Sequence, residues 1–374
     1  MNTRNTQRFV AIAIIAAAGA TASAQVYRLG QVGLSQSISN NGVVVGDSTP
    51  AGDYFMWSRN NGTSSIGGTS AGNGVGGTPK ISNDGRWVGG TTYNPTEDWH
   101  ELSRYEVANG TWSGYGGLGQ QIDAETSSGW GISGDGQNVV GLAWVPTGGA
   151  HAVRWNITDG MVDLGSTVDG RSSRANDTDF DGNVVAGWQD GAGRQGAVWV
   201  DGVQELIFDN NGVASQEAFR VSDDGQWVTG IGIGPRNGAG EAYRYNTVTN
   251  TYEAIPNLAS GAGRFMAGNA ITADGSTIAG GTWAQGPAIF GNAFIWREGF
   301  GTMSLTDYLD EVGVSYDPNF TFAFVSDISS DGQWITGWGS EGFGNTETFV
   351  IHIPAPGSIA ILGLGGLMAA RRRR

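Results

Sequence analysis

Apolar and polar residues alternate with period two in short runs along most of the chain, and turn dipeptides cut each run. That pattern predicts half-buried β-strands joined by tight hairpins. One signature recurs, as SISNNGVVVG, KISNDGRWVGG, GISGDGQNVVG, NDTDFDGNVVAG, RVSDDGQWVTG, AITADGSTIAGG and DISSDGQWITG. The glycines of its Asn/Asp-Gly pairs are Gly42, Gly85, Gly136, Gly182, Gly225, Gly275 and Gly332, spaced by 43, 51, 46, 43, 50 and 57 residues. Such periods are near those of propeller blades, roughly 40–50 residues.

Within a unit, an apolar residue such as Ile81, Ile132, Val221 or Ile328 ends a first strand. The Asn/Asp-Gly pair then supplies the positive-φ positions of a hairpin. A β-branched run follows (WVGG, NVVG), then a third run ending in an aromatic (YFMW, LSRY, HAVRW, GAVW, AYRY, AFIW), a second turn, and a fourth run such as MVDLG or VQELI. Four antiparallel strands per unit make the blade of a β-propeller. The seventh unit stops after its third strand, whereas an extra strand-like segment, VYRLG from Val26 to Gly30, precedes the first unit. The sequence therefore predicts an all-β fold, a single β-propeller over 25–353 with seven four-stranded blades. Its last blade is closed by the N-terminal strand, which removes free edges. Six blades or an open ring are the alternatives.

The units resemble the HAF repeats of secreted bacterial proteins, with Ala293-Phe294-Ile295-Trp296 the nearest copy of the repeat's strand. That family carries no agreed activity. The SxDGxW string is also similar to propeller repeats of the Tol translocation system. It differs from the sialidase Asp-box in the positions of its Gly and aromatic, so no sialidase chemistry follows from it.

The two ends read as addresses. Residues 1–24 combine Arg4 and Arg8, an apolar run from Phe9 to Ala20, and Ala22-Ser23-Ala24. This is the pattern of a secretory signal peptide cleaved between Ala24 and Gln25, with an uncleaved anchor as the alternative. Residues 354–374 place Pro354, Ala355, Pro356 and Gly357 before an apolar stretch from Ile359 to Ala370, closed by Arg371, Arg372, Arg373 and Arg374. A short apolar segment with a cationic clamp has the physics of a stop-transfer tail. The three-part order resembles the PEP-CTERM sorting signal of Gram-negative bacteria. The resemblance implies an exosortase-type sorting protease as partner and contact with the inner membrane through this segment before processing. It also implies a final place in the cell envelope, at the surface or in the matrix of an exopolysaccharide-exporting bacterium. The family's central Glu is Ala355 here, which leaves the exosortase subtype open. An ordinary short C-terminal anchor is the alternative.

Composition narrows the rest. The chain has 374 residues and 64 glycines without a Gly-X-Y period, and its 39% hydrophobic and 10% aromatic content is that of a folded protein. With no Cys it has no disulfide, thiol nucleophile or Cys-based metal site. Segment 25–353 holds 14 basic residues against 35 acidic ones, a formal charge of −21. Nucleic acid is thereby disfavoured as a partner.

Candidate chemistry is sparse. Asp177, Asp179 and Asp181 form a D-x-D-x-D-G run of the kind that opens calcium loops, but Trp188 stands where an EF-hand places its bidentate Glu. Aligned with the other units, Asp181-Gly182 is this blade's hairpin turn, so Ca²⁺ competes with a plain decorated turn and no other cofactor is expected. Trp57, Trp155, Trp199 and Trp296, like Trp87, Trp227 and Trp334, recur at equivalent positions, which predicts packing between blades. The non-repeating Trp99, Trp112, Trp130, Trp144, Trp188, Trp283 and Trp338 are the candidates to face a ligand. His151 and His352 fall on predicted third strands and His100 in a long loop of the second unit, and no Ser/His/Asp or HExxH pattern appears. The functional expectation is a non-catalytic binding or structural module acting as a monomer, with surface polysaccharide as candidate ligand. The alternative is a polysaccharide hydrolase or lyase with carboxylates at the propeller mouth.

Overall fold

The repeated turn builds each blade from its first hairpin outward. In blade 2, the Ser82 hydroxyl donates to Asp84 Oδ1 (2.8 Å) and accepts from the Trp87 amide (3.1 Å), while Asp84 Oδ1 also accepts from the Arg86 amide (2.9 Å). The same bonds recur around Ser133 and Asp135, Ser222 and Asp224, Thr272 and Asp274, and Ser329 and Asp331. The hydroxyl residue three places before the glycine in these blades is thus a turn anchor, satisfying amides that the hairpin leaves unpaired. Gly136 shows why the turn needs glycine. It has φ +74, and a Cβ there would lie 2.5 Å from the Trp87 ring of the preceding blade.

In the computed structural model the described residues are 25–353, apart from 31–32, 34, 49–51, 72–74, 234–239, 259–264, 285–290 and 343–344. Residues 1–24, expected from the sequence to be a signal peptide and including Ala24 of the expected cleavage site, and residues 354–374 lie outside them. The propeller unit is Ala24–Ile353. It consists of seven four-stranded antiparallel sheets in ring order. Their inner strands are Gln36–Ile38, Lys80–Ile81, Ser127–Ile132, Ser173–Thr178, Glu217–Val221, Phe265–Ile271 and Thr321–Ile328.

The predicted closure is present. Gln25–Arg28 is the outermost strand of blade 7, pairing antiparallel with Thr346–His352 in the register Val26↔Ile351 and Tyr27↔Val350. Arg28 fixes the seam by bonding Glu341 (2.8 Å) and Glu347. The core lies between blades. One apolar cluster joins Tyr54 of blade 1 to Ile81 of blade 2, the next joins Leu102 to Val153, and so on around the ring to Val350 and Ile38. Trp57, Trp155, Trp199 and Trp296 are buried in these clusters, as their recurrence predicts. Truncating such a residue to alanine costs roughly 3–5 kcal/mol. Trp87 and Trp227 instead lie under arginines of their own blades, Arg104 and Arg244 (4.0 Å each). Arg104 and Arg244 donate onward to the turn carbonyls of Gly136 and Gly275 in the next blade.

Two features depart from the sequence reading. His100 sits in a regular strand, because Trp87–Asn94 and Trp99–Glu106 pair over their full lengths and only 95–98 form the turn. The link between blades 6 and 7 contains a helix, α1 (Leu305–Glu311), started by Ser304 accepting the Asp307 amide. It buries Leu305 and Leu309 against Phe320, Phe322 and Phe349. No helix among the described residues is long and apolar enough to cross a membrane.

Candidate functional site

Every inner strand has one corresponding position, the residue before its last, held by Ser37, Lys80, Gly131, Asp177, Arg220, Ala270 and Asp327. Of these, Ser37, Lys80, Asp177, Arg220 and Asp327 line the central channel, so two cations and two anions share one narrow passage, while Ala270 belongs to the apolar core. Three of these side chains reach to the next blade's inner strand: Ser37 Oγ accepts the Ile81 amide, Asp177 Oδ2 the Val221 amide and Asp327 Oδ2 the Ile38 amide (3.1–3.3 Å). Arg220 donates to the Phe219 and Ser326 carbonyls (3.2 Å each) and lies 3.6 Å from Asp327.

Lys80 differs from these neighbours. It is 7% exposed, and its Nζ has no hydrogen bond and no ion pair among the described residues. Burial and the nearby Arg220 charge lower its pKa, against the opposing pull of Asp327, Asp177 and Asp47. Burial also raises the Asp177 carboxyl above its ordinary value, with Arg220 and Lys80 pulling the other way.

The two ends of the channel are built differently. On the side of the first hairpins, backbone bonds run from blade to blade: Asn40 to Asn83, Asn83 to Gly134, Asp135 to Phe180, Phe180 to Asp223, Asp224 to Ala273 and Ala273 to Ser330. The Asp331 amide completes the circle on Asn40 Oδ1 (3.2 Å). Across the axis, Asn83 Nδ2 donates to Asp223 Oδ2 (2.6 Å) and Ser330 Oγ (2.9 Å), and Ser330 donates to Asp223. Only about 60 Å³ of space remains between this plug and the charged layer.

The opposite end is a mouth of about 180 Å³. Its walls include Trp130, Arg174, Asn176, Glu217, Phe219 and Asn269, and Lys80 and Arg220 line its inner part. The Arg174 guanidinium lies 3.7 Å over the Trp130 ring and bonds Glu217 (3.0 Å) and Asn176 Oδ1 (2.8 Å). Glu217 is held besides by Arg194 (3.0 Å) and Asn176 Nδ2 (2.9 Å). Asn269 Oδ1 is buried and has no hydrogen-bond partner among the described residues. Among the described residues lining this mouth, Glu217 is the one carboxylate.

The structure separates the aspartate run. Asp177 faces the channel, Asp179 Oδ1 accepts the Gly182 (2.9 Å) and Val184 (3.1 Å) amides, and Asp181 is exposed. Asp179 thus stands where the other blades have the turn-anchoring hydroxyl. No group of three His, Asp or Glu placed to hold a metal occurs among the described residues. Of the non-repeating tryptophans, Trp130 reaches the mouth. Trp188 and Trp338 are buried, Trp112 packs on Tyr54 and Tyr105, and Trp283 stacks on Phe265. Trp99 and Trp144 bond Glu101 and Glu125. His100 contacts Thr69, His151 pairs with Asp163 (2.9 Å), and His352 packs on Trp334. Asp177 stands out in the sequence only as part of the aspartate run, and Lys80, Arg220 and Asp327 do not stand out because they do not repeat. The signal for them is that same variability, at one fixed offset before the turn.

No protein-family model matches the chain, and no curated protein matches it in sequence. Solved structures do resemble it. An oligogalacturonate lyase in complex with manganese is 14% identical with a TM-score of 0.53, over 89% of this chain and 95% of that one. An oligogalacturonate lyase from Vibrio parahaemolyticus is 13% identical with a TM-score of 0.53, over 88% and 91%. The β-propeller domain of the trilobed protease from Pyrococcus furiosus is 11% identical with a TM-score of 0.53, over 87% and 95%. At these identities the likeness is one of fold.

Proposed function

We propose that this protein is an exported, envelope-sorted propeller that works as a non-catalytic binding module, with the wide mouth of its channel as the ligand site. The observation that carries this reading is the state of the mouth's carboxylate. Glu217 is engaged by two arginines and an asparagine, so the pair of available carboxyl groups that glycoside hydrolysis uses is not assembled there. What the mouth offers is two aromatic side chains, Trp130 and Phe219, beside amide and guanidinium groups, which suits the apolar face and polar rim of a sugar ring. Arg174 and Arg220 line the mouth against Glu217 as its one carboxylate, with Lys80 at its inner end, an excess of cations in a body of charge −21. An acidic saccharide is therefore the first ligand to test, and oligogalacturonate, named for two proteins of the same fold, supplies it.

The test is a calorimetric titration of the full chain with oligogalacturonate and with neutral glycans, with and without Ca²⁺, while new reducing or unsaturated ends are followed. Binding that Trp130→Ala abolishes, without product, is the expected result. Product release would establish a hydrolase or lyase and overturn the reading. Export and sorting are tested separately: a C-terminal peptide recovered from host envelope fractions that still carries Arg371 to Arg374 contradicts processing.

A further inference from the structure

Lys80 is the only lysine in the chain, and the fold places it where an amine is of little use for stability. Surface lysines are solvated and structural lysines are paired. This one is 7% exposed and makes neither hydrogen bond nor ion pair among the described residues, although Asp177 and Asp327 line the same channel. It borders both the closed inner space and the mouth, so a small molecule entering from the mouth meets its ε-amino group. Burial and the Arg220 charge lower its pKa to about 7 against the pull of Asp327, Asp177 and Asp47, so much of the amine is neutral near neutral pH. A desolvated neutral lysine is a nucleophile toward carbonyl carbon. A second feature of the same cavity is independent of it: Asn269 Oδ1 is a buried acceptor lacking a donor among the described residues. Such an atom is costly to bury unless something supplies the missing hydrogen.

We propose that Lys80 is a covalent carbonyl-binding residue that condenses with a small hydroxyaldehyde, whose hydroxyl group donates to Asn269 Oδ1. The lysine nitrogen uses its lone pair to form the N–C bond, and the carbonyl π pair moves to oxygen. That oxygen takes the proton released from nitrogen, giving a carbinolamine. Asp177, whose carboxyl burial keeps within reach of its proton near neutral pH, serves as the proton carrier. Loss of water then breaks the C–O bond and leaves the imine. No oxidant or reductant takes part. The proposal does not rest on saccharide binding at the outer mouth.

The test uses the full chain, glycolaldehyde as probe, and sodium cyanoborohydride to reduce any imine to a stable hydroxyethyl amine, located by peptide mapping. The N-terminal amine is scored on its own peptide. The expected result is modification of Lys80 at pH 7 at least about tenfold faster than in the urea-unfolded chain, with a folded-state rate that levels off near neutral pH instead of climbing toward pH 10. Asn269→Ala should slow labelling by glycolaldehyde several-fold and leave labelling by acetaldehyde, which lacks the hydroxyl, unchanged. Lys80 left unlabelled, or labelled no faster than in the unfolded chain, overturns the proposal. An equal effect of Asn269→Ala on both aldehydes overturns the placement of the hydroxyl.

Discussion

Two asparagines at opposite ends of one channel show how the same side chain serves opposite purposes. Asn83, on the hairpin side, donates to Asp223 and Ser330 across the axis while its backbone links blades 1, 2 and 3. Asn269, on the mouth side, buries an oxygen that no described residue satisfies. A completed network closes and stiffens the end that holds it, whereas an incomplete one leaves an interaction for a ligand to make. The hairpin side is therefore the stability face of this propeller and the mouth its binding face.

The comparison can be broken most forcefully on the hairpin side. Gly136→Val forces a β-branched residue to φ +74 and into the Trp87 ring, and chemical unfolding should show a loss of roughly 3 kcal/mol or more. Asp223→Ala strips the acceptor from Asn83 and Ser330, and the same measurement should show a loss of about 1–3 kcal/mol. A smaller effect comes from Asp179 in the blade 4 turn. Burial raises its carboxyl to about 6, opposed by the Val184 amide and aided by Asp181. A folded-state pKa above the unfolded one means that the folded state holds the extra proton, so this group lowers stability as pH rises from about 4 to 6. Asp179→Asn keeps the acceptor oxygen without the charge, so its stability relative to wild type should be unchanged near pH 4 and higher above pH 6. The smallest effect belongs to the mouth: Asn269→Ala removes an unsatisfied oxygen and should leave stability unchanged or raise it by up to about 1 kcal/mol. A loss comparable to that of Asp223→Ala would erase the distinction between the two ends.

The architecture was legible because it repeats. Seven Asn/Asp-Gly turns gave the blade count, and the truncated last unit beside the extra VYRLG strand gave the closure. The recurring tryptophans announced the packing between blades for the same reason. The candidate site was legible only in part. Trp130 belonged to the non-repeating set, but nothing local distinguished it from Trp188 or Trp338, which pack inside. Lys80, Arg220, Asp177 and Asp327 are far apart in sequence and meet only because the ring brings corresponding strand positions to one axis. Asp177 and Asp179 look alike in the D-x-D-x-D run, yet the strand ends at Thr178, so Asp177 stays on the inner strand at the channel while Asp179, past its end, anchors the hairpin. The helix after Ser304 was signalled by a capping serine, but seven residues are too few for a clear helical period.

Hydroxyl-radical footprinting of the full chain, with and without oligogalacturonate, most directly tests whether the mouth is the binding face. The account predicts ligand-dependent protection of Trp130 and Phe219 and none at Phe180 or Ile157 on the hairpin side. Protection confined to Phe180 and Ile157, with Trp130 and Phe219 unchanged, would contradict it.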